Sequence, residues 1–191
     1  MTHPNNLQIN FKSALQWNLN SNALFDLMEI VMKKNFMFIC LGNICRSPMA
    51  EFIFKDMLKN AAVDGDFVVA SCATSAEEII GGVGNPMYHL AQNELIKNGI
   101  PFGDKRAVQL KKSDYSKYDL FLCMDESNRR NTLRIFGSDP DNKVKKLLDY
   151  TDRKGDVSDP WFTRKFDVAY KDIFDGCKGL LKVEVLGGDN G

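Results

Sequence analysis

Along most of the chain, short continuous apolar runs alternate with stretches whose apolar residues recur at helical spacing. Residues 36–41 (Phe36, Met37, Phe38, Ile39, Cys40, Leu41) are apolar without a break, as expected of a strand buried on both faces. Gly42 and Asn43 end the run. A helical pattern then covers 48 to about 60, with Met49, Phe52, Ile53, Met57 and Leu58 on its apolar face. Val68–Cys72 reads as a second buried strand. Residues 81–86 (Gly-Gly-Val-Gly-Asn-Pro) read as loop, and Met87, Leu90, Leu95 and Ile96 mark a helix that ends at Asn98-Gly99. A third strand is predicted over 119–124, a helix over 126–136, a short fourth strand over 144–148 and a last helix over 164–182. Strands alternating with helices imply an α/β domain, a parallel sheet covered by helices on both faces. Ligands of such folds sit at the carboxyl ends of strands, beside a topological switch point.

Residues 1–31 break this pattern: Asn is frequent, Gly is absent, and no convincing strand has begun. Met32-Lys33-Lys34 looks like a second, more natural start. Leu24, Phe25, Leu27, Met28 and Ile30 fit one amphipathic helix, but the segment reads as an appended, dispensable extension before a domain over 32–191. Lys plus Arg and Asp plus Glu are 25 each among 191 residues, so the overall basic field that collects nucleic acid is lacking. No apolar run approaches the roughly 20 residues that span a bilayer, and the N-terminus lacks a secretion signal's pattern. The five cysteines, Cys40, Cys45, Cys72, Cys123 and Cys177, are odd in number and make no ligand spacing with His3 or His89. Reduced thiols in a cytoplasmic protein are expected, with no metal and no cofactor. His89 is expected on a helix surface.

The segment Cys40-Leu41-Gly42-Asn43-Ile44-Cys45-Arg46-Ser47-Pro48 links the first strand to the first helix and carries the strongest chemical signal. Gly42 and Asn43 are the residue types that most readily adopt left-handed backbone, which turns successive N–H groups inward as an anion nest. A helix starting near Ser47, with Pro48 in its first turn, adds the positive end of its dipole. Cys40, at the end of the strand, is then placed as a thiolate nucleophile. Arg46 offers a planar fork for two phosphate oxygens. Ser47 is placed to donate a hydrogen bond to the sulfur, and Asn43 to fix the loop. Cys45, five residues after Cys40, either packs under the loop or captures an oxidised Cys40 as a disulfide.

A departing phenolate or alkoxide needs a proton. In Asp159-Pro160-Trp161-Phe162, Pro160 stiffens the loop while Trp161 and Phe162 wall an aromatic cleft, and burial beside those rings suits Asp159 to general acid catalysis. From the residues alone, Asp-Pro reads equally well as a plain turn.

The loop resembles the signature of the low-molecular-weight protein tyrosine phosphatases, and the likeness runs in order from about Met32 to Lys182. Pro48-Met49-Ala50-Glu51, Ser71, Met124-Asp125-Glu126-Ser127-Asn128 and Asp159-Pro160-Trp161-Phe162 all resemble family segments. The resemblance implies a four-stranded parallel sheet in one three-layer domain, with the phosphate loop between first strand and first helix. It implies phosphotyrosine hydrolysis in proteins, and of small aryl phosphates, through a phosphocysteine intermediate without metal. Cys40 is then the nucleophile, Arg46 the transition-state clamp and Asp159 the general acid and base. Leu41, Gly42, Asn43, Ile44, Cys45, Ser47 and Trp161 hold the substrate of a monomer or weak dimer. Two departures stand out. Lys105-Arg106-Ala107-Val108-Gln109 replaces a stretch that carries His and Arg in many relatives. A loop aromatic of the family is also missing near Glu77 and Glu78, which opens the cleft there. Arsenate reductases of this fold resemble a relay of nearby cysteines, whereas Cys72 and Cys123 lie far apart. Protein-arginine phosphatases have Thr where this chain has Ile44, an apolar contact that suits a flat phenol.

Overall fold

From Phe36 to Cys40 every residue of the first strand is buried, and its side chains alternate between two separate cores. Phe36, Phe38 and Cys40 point to one side and Met37 and Ile39 to the other, the two-residue period of a strand covered on both faces. The computed structural model describes residues 34–188; residues 1–31, expected to be an extension, lie outside them.

This strand, β1 (Asn35–Cys40), is central in a parallel sheet with β2 (Val68–Ala73), β5 (Leu120–Cys123) and β6 (Val144–Lys146) in the order β2-β1-β5-β6. The chain moves outward from β1 to β2, then crosses back to β5 on the far side. The switch point is therefore at the carboxyl ends of β1 and β5, where Cys40 and Met124 lie. One face is covered by α1 (Arg46–Asn60) and α5 (Phe166–Leu180), whose Met49, Ile53, Phe54, Ile173 and Cys177 pack against Phe36 and Phe38. Phe54 meets both rings edge-on, at 5.1 and 5.7 Å between centroids. Burial of each such ring contributes about 2–3 kcal/mol. The other face holds α3 (Glu126–Phe136), with Phe136 against Phe121, Met37 and Ile39.

The predicted strands and helices are present, with shifted ends. Leu41 lies outside β1 and is partly exposed, while α1 begins at Arg46, next to Ser47 as expected. Helix α2 is shorter than its pattern, His89–Lys97. The stretch expected to complete the fourth strand is a tight turn at Leu147–Tyr150. Helix α5 rests on that turn so closely that a Cβ on Gly179 would sit 2.0 Å from the Tyr150 carbonyl oxygen. The helix predicted over 164–182 is present as α5, followed by one π turn at Leu181–Val185; left-handed Arg164 (φ 59°) separates it from a short helix not expected from the sequence, α4 (Pro160–Thr163). A small hairpin, β3 (Ile79–Ile80) and β4 (Val83–Gly84), occupies part of the expected loop. Its turn is Gly81-Gly82, with φ of 59° and 82°.

Candidate active site

The phosphate loop is fastened chiefly by one buried side chain, Asn43. Its backbone is left-handed at φ 57°, a conformation that Asn tolerates because its short amide bonds locally. Gly42 is not in the left-handed region, contrary to the sequence expectation. Glycine here leaves room for Glu78: a Cβ would lie 2.9 Å from its Cγ and force that side chain to shift.

The Asn43 N–H donates to Cys40 Sγ at 3.2 Å. Asn43 Nδ2 donates to Ser47 Oγ at 2.9 Å and to Ser71 Oγ at 2.8 Å, and Oδ1 accepts the Val108 N–H at 3.0 Å. That last bond fixes which end of the amide is oxygen, since a backbone N–H cannot accept. Ser47 Oγ accepts from Asn43 and lies 3.0 Å from Cys40 Sγ and 3.4 Å from the Cys72 carbonyl oxygen, so its proton faces both, with the sulfur the nearer acceptor. Ser71 Oγ donates to Glu51 Oε2 at 2.6 Å, and Lys105 Nζ stands 3.2 Å from the same oxygen. Lys105 also donates to the Ser71 carbonyl, and Lys55 pairs with Glu51 Oε1. The buried Glu51 carboxylate therefore carries two ammonium partners, which offsets its desolvation. Lys105, on the stretch that departs from the family pattern, thus supports this network.

Helix α1 starts with no side-chain cap and no acid in its first turn, so its amino end faces the loop unneutralised. Arg46, its first residue, is almost fully buried. NH1 meets Asp125 Oδ2 at 2.6 Å and the Val157 carbonyl at 3.3 Å, and NH2 meets Asp159 Oδ2 at 2.8 Å. Burial alone would depress the guanidinium pKa, but the negative charge of Cys40, Asp159 and Asp125 outweighs it and drives the value up. Arg46 is held as a fixed cation. Cys45 is the opposite case. Burial first, then the charges of Cys40 and Asp159, push its thiol up to about 12.

Asp159 caps the short helix α4, accepting the Trp161 N–H at Oδ1 (2.9 Å). Its side chain is 28% exposed and its nearest partner is the Arg46 guanidinium, rather than the apolar burial expected from the aromatic neighbours. Trp161 stands at the rim, 47% exposed, with its ring edge-on to Tyr88 at 5.4 Å. The cleft of about 430 Å³ is lined by the loop residues Cys40, Leu41, Gly42, Ile44, Cys45 and Arg46, and by Glu77, Glu78, Asp159, Trp161 and Phe162. Asn43 and Ser47 lie beneath it, fully buried. The structure thus brings together all ten residues singled out from the sequence. Asp125, Glu51, Lys105 and Tyr88 were not among them. Only Asp125 left a clear local signal, the helix cap Asp125–Asn128 directly after a strand.

The model of the family described as low molecular weight phosphotyrosine protein phosphatase matches residues 35–187. Among similar proteins, the low molecular weight protein-tyrosine-phosphatase YfkJ of Bacillus subtilis is 36% identical over 149 residues, covering 76% of this chain and 92% of its own. The mouse low molecular weight phosphotyrosine protein phosphatase is 36% identical over 160 residues, 81% of this chain and 98% of its own. The crystal structure of YfkJ superposes with a TM-score of 0.71 at 34% identity, covering 78% of this chain and 92% of that one. The structure of SP-PTP from Streptococcus pyogenes gives 0.67 at 32% identity, covering 78% and 91%. The chain belongs to the low molecular weight phosphotyrosine protein phosphatase family.

Proposed function

We propose that the protein hydrolyses phosphotyrosine in proteins, and small aryl phosphates, through a phosphocysteine intermediate. The observation that carries this reading is the convergence of Cys40, Arg46 and Asp159 on one cleft at the switch point of the sheet. Cys40 Sγ, held by the Asn43 amide and the Ser47 hydroxyl, attacks phosphorus. The bond to the phenolic oxygen breaks as Asp159 gives that oxygen a proton. Incoming phosphate replaces Asp159 on the Arg46 fork, so the guanidinium follows the phosphoryl oxygens while Asp125 keeps it in place. In the second step Asp159 takes a proton from water, the oxygen attacks phosphorus, and the sulfur leaves as a thiolate stabilised by the Ser47 hydroxyl.

Ile44, Leu41, Trp161 and Phe162 all line the cleft, giving a flat phenol apolar walls. An ionic guanidinium substrate gains less from them. Cys72 and Cys123 are buried, with thiols raised by burial, which disfavours a cysteine relay to arsenate. Five unpaired thiols suit a cytoplasmic protein. Among the described residues no helix is long and apolar enough to cross a membrane. The reading includes a monomer or weak dimer, and residues 1–31 as a dispensable extension.

The test compares an aryl phosphate, phosphoarginine and arsenate with one metal-free preparation. Turnover of the aryl phosphate is expected to exceed the other two by orders of magnitude. Preference for phosphoarginine or thiol-dependent arsenate reduction would overturn the assignment.

A further inference from the structure

Helix α5 carries a buried carboxylate on an otherwise apolar face. Asp172 is the one charged residue among the buried positions of the helix, beside Ala169 and Gly176 at the edge of its apolar stripe, and its side chain is only 8% exposed. A carboxylate in such a place is costly unless its oxygens are satisfied. One oxygen accepts from Arg153 NH2 at 2.6 Å; the other accepts the backbone N–H of Ser158 at 3.0 Å, immediately before Asp159. From these contacts we propose that Asp172 is a positioning residue for Asp159, fixing the acid loop to the helical frame of the domain. The proposal rests on the general acid role given to Asp159 above.

The loop is fastened differently on its two sides. Downstream of Asp159 the bonds are internal: Trp161 N–H and the Thr163 hydroxyl return to Asp159 itself, so α4 and the acid move together. Upstream, two successive amides reach the body of the domain. Val157 N–H donates to the Met124 carbonyl at 2.8 Å, at the end of β5, and Ser158 N–H donates to Asp172. A charged acceptor makes the second bond the stronger kind and fixes its direction. It lies one residue from the Asp159 Cα, where a small displacement is carried straight to the carboxylate. Helix α5 is a rigid anchor, because Ala169, Ile173 and Cys177 are wholly buried.

The test uses kcat/KM, which reports the step that expels the phenol, for a series of aryl phosphates with phenols of graded acidity. Asp172→Ala is expected to slow substrates with poor leaving groups by about 10–100-fold, the scale of a misplaced catalytic group. Those with acidic phenols, which leave unaided, should change by no more than about 3-fold. Asp172→Asn keeps an oxygen for the Ser158 N–H and is expected nearer wild type, with the same selectivity for poor leaving groups. It also carries the test if the alanine variant folds poorly. Arg153→Ala removes only the half-exposed partner and is expected to change either class little. In an Asp159→Asn background, Asp172→Ala should add nothing further to the loss on poor leaving groups, since the two residues act as one unit. Equal slowing of both substrate classes, or full additivity with Asp159→Asn, would overturn the proposal and leave Asp172 as part of the core alone. If Asp159→Asn itself slows both classes alike, the acid assignment falls and the proposal with it. If Asp159→Asn is selective and Asp172→Ala is not, only the proposal falls.

Discussion

The two loops that meet at the cleft are built in contrasting ways. The phosphate loop runs straight from a buried strand into a fifteen-residue helix and is stitched by Asn43 to Ser47, Ser71 and Val108. The acid loop arrives after a tight turn and an exposed stretch with left-handed Lys154 and Gly155, and its ties to the domain include the Asp156 carboxylate on the Glu126 N–H, the Val157 and Ser158 amides and Arg46. The contrast suits the division of labour. A nucleophile and its anion nest must be rigid before substrate arrives, since preorganised dipoles stabilise charge without reorganisation. An acid that first pairs with Arg46 and then serves the leaving oxygen must exchange partners. Damage to the first loop therefore affects every substrate, and damage to the second is felt in proportion to how much a substrate needs a proton.

The severest test of that division is Cys40→Ser. Turnover is expected to vanish for all aryl phosphates, while phosphate or vanadate still binds, because the Asn43 fastening and Arg46 survive. Calorimetric titration of the variant checks the binding. Retained turnover would break the covalent mechanism. Arg46→Lys is expected to fail almost as badly across all leaving groups, since an ammonium cannot span Asp125 and the phosphate as the planar fork does.

On the acid loop the expected loss is smaller and selective. Asp159→Asn should lower kcat/KM for poor leaving groups by roughly 10²–10⁴-fold and for very acidic phenols far less. The slope of log kcat/KM against phenol pKa is the measurement. An unchanged slope with a uniformly lower rate would mean that Asp159 holds Arg46 or the loop and moves no proton.

The same contrast explains what could be read in the sequence. The phosphate loop was legible because its parts are consecutive: directly at the end of a strand, Cys40, Gly42-Asn43, Arg46 and Ser47 fall within eight positions, and each has a local reason. Gly42 was misread because its close neighbour is the Glu78 side chain, thirty-six positions on, which a Cβ would displace. Glu51 and Lys105 were invisible as partners because helix α1 and the segment after α2 meet only in three dimensions. The acid loop was read from Asp-Pro and two aromatics, with an apolar environment inferred from the rings. The fold instead turns the carboxylate toward Arg46 and leaves the rings at the rim. The alternation of apolar runs was enough for the sheet, but a three-residue edge strand and the separate short helix before Arg164 depend on packing that no window of residues records.

Within the phosphate loop, two thiols five residues apart provide a finer comparison. Cys45 has its thiol pushed up to about 12, by burial before all else, so at neutral pH it is protonated and a poor nucleophile. A haloacetamide at pH 7 is expected to modify Cys40 first, in a reaction that inorganic phosphate blocks, as mass spectrometry of the peptides would reveal. Early labelling of Cys45 would contradict its buried setting. The raised thiols also set a sign for stability. Cys45, Cys72, Cys123 and Cys177 hold their protons more tightly folded than unfolded, chiefly through burial. Their contribution is complete below the ordinary thiol value near 9 and is lost as pH rises above it. The midpoint of thermal unfolding is expected to decline above about pH 9, and Cys123→Ala to flatten that decline slightly.

The smallest effect is expected from the largest deletion. A chain beginning at Met32 should keep kcat/KM for aryl phosphates and its melting temperature, because the residues that build and fasten the two loops among those described lie later. The first sheet strand begins at Asn35, the family match at residue 35, and the site at Cys40. The mouse relative is covered over 98% of its own length by an aligned stretch of 160 residues, so the part of this chain after residue 31 is as long as a whole relative. Residues 24–30 are the sole reason to expect otherwise, since Leu24, Phe25, Leu27, Met28 and Ile30 would form one apolar helical stripe. A stripe buried on the domain would contribute several kcal/mol, and for a domain of this size each kcal/mol shifts the midpoint by about 2–4 °C. Equal melting of the full and shortened chains is the expected outcome; a drop of roughly 5 °C or more would show the extension to be part of the fold.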